Sequence, residues 1–228
     1  MESNKTALVI GLTLVLLPVL SITHGVSEGD AAFIQDQSGF QFWPYFYLGA
    51  KHMVTGYDHL AFLAGVIFFL YRLKEIATYV TLFAIGHSVT LIAGVWFDIP
   101  ANIYLIDAII GFSVIYKAFE NMGGLNKIGL SINTKYAVLI FGLFHGFGLA
   151  TKLQQLTISD DGLLQNLIAF NIGVEFGQLT ALILMITLMN LWRHTNKFTS
   201  QAIAANSALM CMGFLFVFYQ LTGYMIES

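Results

Sequence analysis

Residues 49–71 read GAKHMVTGYDHLAFLAGVIFFLY, a long apolar run that carries titratable side chains inside it. A lipid core about 30 Å thick needs about 20 apolar residues to be spanned by a helix. This stretch is long enough, and its aspartate and two histidines lie where such a helix is surrounded by hydrocarbon. It therefore predicts a membrane helix that holds a polar site.

The rest of the chain has the same apolar character. Of its 228 residues, 57% are hydrophobic and only 10% are charged, whereas a soluble domain carries about 25% charged residues. The net charge of −3 excludes a nucleic-acid partner. The single cysteine excludes an intramolecular disulfide framework and a multi-cysteine metal site. The composition predicts an all-α, polytopic membrane helical bundle.

Hydropathy divides this bundle into a six-helix core and one further N-terminal segment. The segment has the features of a signal peptide ending in Ser21-Ile22-Thr23, or of an uncleaved seventh transmembrane helix. We expect residues 1–23 to be that signal peptide or anchor, 24–44 an extracytoplasmic loop, and 45–228 a six-helix transmembrane domain. The apolar stretches lie at about 5–23, 45–71, 77–97, 101–119, 136–153, 163–191 and 201–224.

The basic residues predict how the helices are oriented. If the seven stretches alternate in direction, eight basic residues fall on one side and only Lys51 and Lys152 on the other. Loops rich in lysine and arginine stay in the cytoplasm. We therefore expect a multi-pass protein of a bacterial-type inner (plasma) membrane. Its C-terminus is extracytoplasmic, and its N-terminus is cytoplasmic if it is not cleaved.

Five titratable side chains lie deep in the apolar stretches, where the cost of burying charge makes function the first hypothesis. At about 1.5 Å per residue, the three histidines and the glutamate among them lie within about 5 Å of the bilayer centre. Imidazoles with carboxylates and no thiolate are a ligand set for Zn, Ni or Co. We expect these residues to hold a divalent transition metal: Asp58, His59, His87, His145 and Glu175.

Further polar residues are expected to hydrogen-bond the ligands or to line the route of the ion. His52 and His59 are seven residues apart, hence about 20° apart on one continuous helix. Two simpler interpretations stay open: polar residues that only join helices through hydrogen bonds, and a proton relay without metal. The residues given these outer roles are His52, Ser88, Asp107, Asn171 and Gln178.

Four blocks of sequence are specific when taken together: GAKHMVTGYDHLAFL (49–63), GHSVTLIAG (86–94), FGLFHGFGLA (141–150) and FNIGVEFGQ (170–178). In this order they resemble the HupE/UreJ family of membrane proteins, in its HupE/UreJ_2-like subtype. The similarity includes DAIIGFSVIYKAFEN (107–121), where the family usually has Glu and this chain has Asp107. The resemblance implies a six-helix core, often behind a signal-like segment, and a role in nickel or cobalt uptake.

Three functions agree with these expectations. The first is a permease-like protein that binds Ni, Co or Zn and takes up metal, with the lipid bilayer, the ion, and a homo-oligomer or a periplasmic metal source as partners. The second is an intramembrane zinc-dependent hydrolase of a lipid amide or ester, with Glu175 or Asp58 as its general base. Its site composition is similar to that of the alkaline ceramidase and adiponectin-receptor superfamily. The third is a membrane assembly subunit that the metal stabilises.

Overall fold

The structure is a computed structural model that describes residues 39–155 and 161–227. Every regular element within these residues is a helix. The predicted all-α helical bundle is therefore confirmed. The expected signal peptide or anchor over residues 1–23, and most of the expected loop over 24–44, lie outside the described residues.

Eight helices follow one another in the described part of the chain. Four of them, which we label α3, α6, α7 and α8, are long and apolar enough to cross a membrane, whereas α2 is apolar but shorter. This indicates a multi-pass membrane protein. The helices are α1 (Phe42–Thr55), α2 (Tyr57–Ile67), α3 (Leu73–Trp96), α4 (Ile103–Asn121), α5 (Gly124–Lys127), α6 (Thr134–Gln154), α7 (Leu163–Arg193) and α8 (Phe198–Glu227).

The span predicted over residues 45–71 is not one helix. α1 ends at Thr55, Gly56 has an extended backbone with φ −73° and ψ 97°, and α2 then begins at Tyr57. A Cβ on Gly56 would lie only 2.8 Å from Nδ1 of His59. At the break, the backbone of Gly56 and the imidazole of His59 are therefore in close contact. The prediction that His52 and His59 share one continuous helix is wrong, because they lie on two half-helices that meet at Gly56.

Three close helix pairs build the bundle: α1 with α7, α3 with α6, and α4 with α8. Small residues let helix backbones approach each other in lipid. A Cβ on Gly86 would lie 2.6 Å from the carbonyl oxygen of Leu139, and one on Gly142 would lie 2.5 Å from that of Phe83. The backbones of α3 and α6 are therefore in direct contact over the middle of both helices.

The short helix α2 lies in the interior of the bundle. It contacts α1, α3, α4, α7 and α8. Leu63 and Ile67 belong to one buried apolar cluster, and Phe62 and Val66 belong to the other. Because both clusters pack on α2, the polar residues at its start are held rigidly in the core.

Contacts near helix ends fix the direction of the passes. Gln41, just before α1, donates its backbone N–H to Oδ1 of Asn166 near the start of α7 (2.8 Å), so both helices begin at one end of the bundle. Asn121, which ends α4, donates to Asn206 near the start of α8 (2.9 Å), so these two helices are antiparallel. Four of the described helices qualify as membrane spans, and the six-helix transmembrane domain expected from the sequence stays a prediction.

Candidate metal centre

Four histidines from four helices meet inside the bundle. The ring centroid of His59 on α2 lies 5.1 Å from that of His52 on α1, 5.9 Å from that of His87 on α3, and 4.9 Å from that of His145 on α6. His59, His87 and His145 are buried and His52 is partly buried. The structure thus brings together the three histidines that the sequence placed at one depth, with His59 at the centre.

Three of these imidazoles are close enough to face one ion. One ring nitrogen from each of His52, His59 and His87 lies within 4.8 Å of the other two. His145 contacts His59 without being part of this set. His52, which the sequence assigned to an outer role, is therefore a member of the closest group, because the break at Gly56 brings α1 and α2 together there.

Hydrogen bonds orient two of the rings. Oδ1 of Asp58 accepts from both the backbone N–H and Nδ1 of His59, each at 2.9 Å. A carboxylate accepts only, so the proton lies on Nδ1 and the lone pair on Nε2. Nδ1 of His145 donates to the carbonyl oxygen of Phe141 at 2.7 Å, so the lone pair of this ring is also on Nε2. Both imidazoles are thus in the tautomer that binds a metal through Nε2.

The other ring nitrogens of His59, His87 and His145 have no protein partner within the described residues. Nε2 of His59, Nε2 of His145 and both nitrogens of His87 are buried without a hydrogen bond. Each buried polar group left unpaired costs about 1–3 kcal/mol. Neutral imidazole is a preferred ligand of borderline divalent ions such as Zn, Co and Ni. The residues therefore fit a divalent transition-metal ion, which would satisfy several of these nitrogens at once.

Three phenylalanines line the histidine cluster, and sequence reasoning missed them: Phe62, Phe83, and Phe170, which lies 6.2 Å from His52 between ring centroids. The ring centroid of Phe83 lies 5.0 Å from that of His145 and 6.2 Å from that of His87, and Phe62 lies 5.4 Å from His145. Phe83 is four residues before His87, so both lie on one face of α3. This four-residue spacing could have identified Phe83 from the sequence as a neighbour of His87. These apolar rings lower the local dielectric constant, which strengthens polar interactions in the cluster.

Two predicted amides on α7 are buried near the site. Gln178 is only 1% exposed and lines, with His59, a void of about 10 Å³. Its Nε2 has no hydrogen-bond partner within the described residues. Nδ2 of Asn171 donates to the carbonyl oxygen of Leu167 (3.1 Å), while its Oδ1 is buried and unpaired. Gln178 is thus positioned beside the histidines, and Asn171 is partly bound to its own helix.

Glu175 and Ser88 are not part of the histidine group. Both line a groove of about 630 Å³ between α3 and α7, whose other lining residues are almost all aliphatic. Both side chains are only partly buried. The metal-ligand role expected for Glu175 and the outer role expected for Ser88 therefore lack the proximity that His52, His59 and His87 have.

Asp107 is also at a distance from the closest group of histidines, in a buried ion pair. Its Oδ2 lies 2.8 Å from Nζ of Lys152 on α6. Nε2 of Gln220 on α8 donates to the same oxygen at 3.3 Å. Lys152 and Gln220 were not among the predicted site residues. Lys152 could have been identified from the sequence, because it is one of only two lysines on the side opposite to the other basic residues.

Comparison with known protein families agrees with these motifs. The family described as HupE / UreJ protein matches residues 28–228. Comparisons with curated proteins and with solved structures found no match. The family match covers most of the chain and all of its described helices, so the chain belongs to this family.

Proposed function

We propose that this member of the HupE / UreJ family is a permease that binds a divalent transition-metal ion, Ni, Co or Zn, and carries it across the membrane. The observation that carries the proposal is the cluster of His52, His59 and His87, whose ligand nitrogens lie within 4.8 Å of one another. Within the described residues, buried ring nitrogens of His59, His87 and the neighbouring His145 have no hydrogen-bond partner. The lone pairs on these nitrogens can be donated to a bound cation.

In this proposal the imidazoles divide the work of holding the ion. His59 binds through Nε2, and His52 and His87 bind from the neighbouring helices. Asp58 keeps the proton on Nδ1 of His59 and offsets part of the charge of the ion, as a carboxylate behind a ligating histidine does. His145 supplies a further nitrogen on the other side of His59. Glu175 is left out of the ligand set because it lines the groove between α3 and α7.

The break at Gly56 supports transport over a purely structural role for the metal. Secondary transporters build their ion sites near the bilayer centre from discontinuous helices, whose free backbone groups and flexible junctions serve binding and release. Here two half-helices meet beside His59, and Gly56 donates its N–H to the carbonyl oxygen of His52 at 2.9 Å. A small change of the α1–α2 angle would separate His52 from His59 and weaken the site, which release requires.

The test is metal uptake into liposomes that contain the purified protein and an entrapped metal-sensitive dye. We expect uptake of Co²⁺, Ni²⁺ or Zn²⁺ down a concentration gradient, and its loss in His59→Ala. His194→Ala is the matched control, because His194 is exposed at the end of α7 and bonds only Asn190 within the described residues (2.6 Å). Metal-loaded protein that gives no uptake would contradict the proposal.

One observation favours an intramembrane hydrolase as the second candidate. The groove of about 630 Å³ is large enough for an acyl chain and carries Glu175, which with Asp58 is one of the two general bases expected from the sequence. A zinc ion at the histidines would activate water, and the groove would admit a lipid amide or ester. This function predicts that zinc-loaded protein cleaves such a lipid and that Glu175→Gln does not. If metal raises only the thermal stability, the assembly-subunit alternative holds instead.

A further inference from the structure

A buried ion pair lies between the histidine cluster and one end of the bundle. Nζ of Lys152 lies 2.8 Å from Oδ2 of Asp107, and the side chains are 11% and 8% exposed. Lys152 is two residues from the end of α6, and Asp107 is four residues after the start of α4. Since Lys152 follows His145 by seven residues on the same helix, the pair lies about 10 Å from the histidines along the helix axis.

A small void joins this pair to the carboxylate behind His59. It has a volume of about 10 Å³, which is space for about one water molecule. Its polar lining residues are Asp58, Asp107, Tyr219 and Gln220, and the others are apolar or glycine. Gly148 on α6 packs directly against this carboxylate, because a Cβ there would lie 3.2 Å from Oδ1 of Asp107. Asp58 in turn bonds Nδ1 of His59 at 2.9 Å. The carboxylates of Asp107 and Asp58 thus lie between Lys152 and the histidine cluster.

We propose that the Asp107–Lys152 ion pair is the gate through which a divalent cation reaches the histidine cluster. This inference rests on the proposed metal permease and names its selective step. Asp107 is a transient ligand of the passing ion, and Asp58 is the next carboxylate on the route. Lys152 is a tethered cation that holds Asp107 until the ion displaces it.

The chemistry of lysine suits this role. Its ammonium is a compact point charge on a flexible four-carbon stem, so it occupies a cation site and can leave it without breaking a rigid fork of hydrogen bonds. From its position near the end of α6, the side chain can extend to the membrane surface once displaced. A divalent ion, with twice the charge, competes with this ammonium better than Na⁺ or K⁺ does. The gate therefore selects for charge before the imidazoles select for metal type.

The experiment measures Co²⁺ binding to the full-length protein in lipid nanodiscs, followed by the visible absorption of the bound ion. In Asp107→Asn we expect the association and dissociation rates to fall together, each by at least tenfold. The equilibrium Kd stays within twofold of the wild-type value, because a gate lies on the route and not at the site. His59→Ala, which should not bind, establishes that the signal reports the histidine cluster.

The double variant Asp107→Asn with Lys152→Met controls for misfolding, because it removes both charges and leaves neither buried alone. We expect it to be as slow as Asp107→Asn. Wild-type rates in the double variant would overturn the gate, since the single variant would then act only by stranding Lys152. Unchanged rates in Asp107→Asn would overturn it too, and so would a lost affinity, which would make Asp107 a permanent ligand.

A second readout is the number of ions bound at equilibrium. In Lys152→Met the tethered cation is gone, so Asp107 and Asp58 should retain a second Co²⁺ per chain, whereas Lys152→Arg should keep one. One ion in both variants would contradict the role of Lys152. A wild-type protein that binds no Co²⁺ would overturn both the gate and the permease. Binding with normal kinetics in Asp107→Asn would overturn the gate alone.

Discussion

At the residue scale, the bond between Asp58 and His59 decides how well the central imidazole can bind a cation. In Asp58→Asn the negative charge next to Nδ1 of His59 is lost, and the proton on Nδ1 is no longer fixed by a pure acceptor. Mutation of a residue that hydrogen-bonds a ligating histidine typically lowers metal affinity by about 10- to 100-fold. We expect the Kd for Zn²⁺ or Co²⁺, measured by titration calorimetry, to weaken by about that factor.

Asp98→Asn is the control for this prediction. Asp98 is exposed in the loop after α3 and has φ 48°, a left-handed conformation that asparagine adopts as readily as aspartate. It therefore removes one carboxylate without disturbing the backbone. Equal affinities in Asp58→Asn and Asp98→Asn would mean that Asp58 has no influence on the ligand.

Depth along a helix could be predicted from the sequence, but rotation about the helix axis could not. Counting residues brought His59, His87 and His145 to one level, and the structure has them in contact through His59. The same count included Glu175, which lines the groove. At 100° per residue, Glu175 is about 60° from Gln178 around α7. That angle separates a residue beside the histidines from one at the groove, and only helix packing determines it.

At the scale of elements, the α3–α6 pair holds His87 and His145 at their separation. Gly146 follows His145 directly, and a Cβ on it would collide with the backbone carbonyl of His87. Gly146→Ala must therefore separate the two helices and move both imidazoles. Overpacking of this kind costs about 1–3 kcal/mol. We expect a lower midpoint of thermal unfolding in detergent, together with weaker Co²⁺ binding.

Ala204→Val is the comparison for this variant, since Ala204 is exposed on α8 and also gains bulk. We expect it to leave both the unfolding midpoint and Co²⁺ binding unchanged. Should Gly146→Ala bind Co²⁺ as wild type does, the contact between α3 and α6 would not be what sets the histidine geometry.

The break between α1 and α2 is the element that hydropathy could not predict. Gly56 lies in an apolar run with Gly49 and Gly65, and both of those remain helical. Glycine is common inside transmembrane helices, so its presence alone does not end one. The break forms where Nδ1 of His59 and the carbonyl oxygen of His52 lie close to Gly56. These contacts come from residues within four positions of Gly56, and hydropathy does not register them.

For the whole molecule, the helical-bundle architecture was predictable and the partners of each helix were not. Apolar length alone gives the spans, because every backbone group in lipid must be satisfied within a helix. Lipid tails and helix surfaces are equally apolar, however, so hydropathy does not say which helices touch. The glycine pairs at spacing four were the better signal. Gly142 and Gly146 face α3, and Gly173 and Gly177 face α1.

The distribution of lysines and arginines between the two ends of the bundle predicts its orientation in the membrane. Among the described residues, most of these charges cluster where α2, α4 and α7 end and α3, α6 and α8 begin, whereas Lys152 is paired at the other end. Basic loops stay in the cytoplasm.

In a Cys211→Ala background, a membrane-impermeant maleimide applied to intact cells should therefore label Glu227→Cys at the end of α8. It should not label Ser131→Cys, which lies in the exposed loop between α5 and α6. The reverse labelling would place the Asp107–Lys152 pair at the cytoplasmic side, and the ion would then meet this gate on leaving and not on arriving.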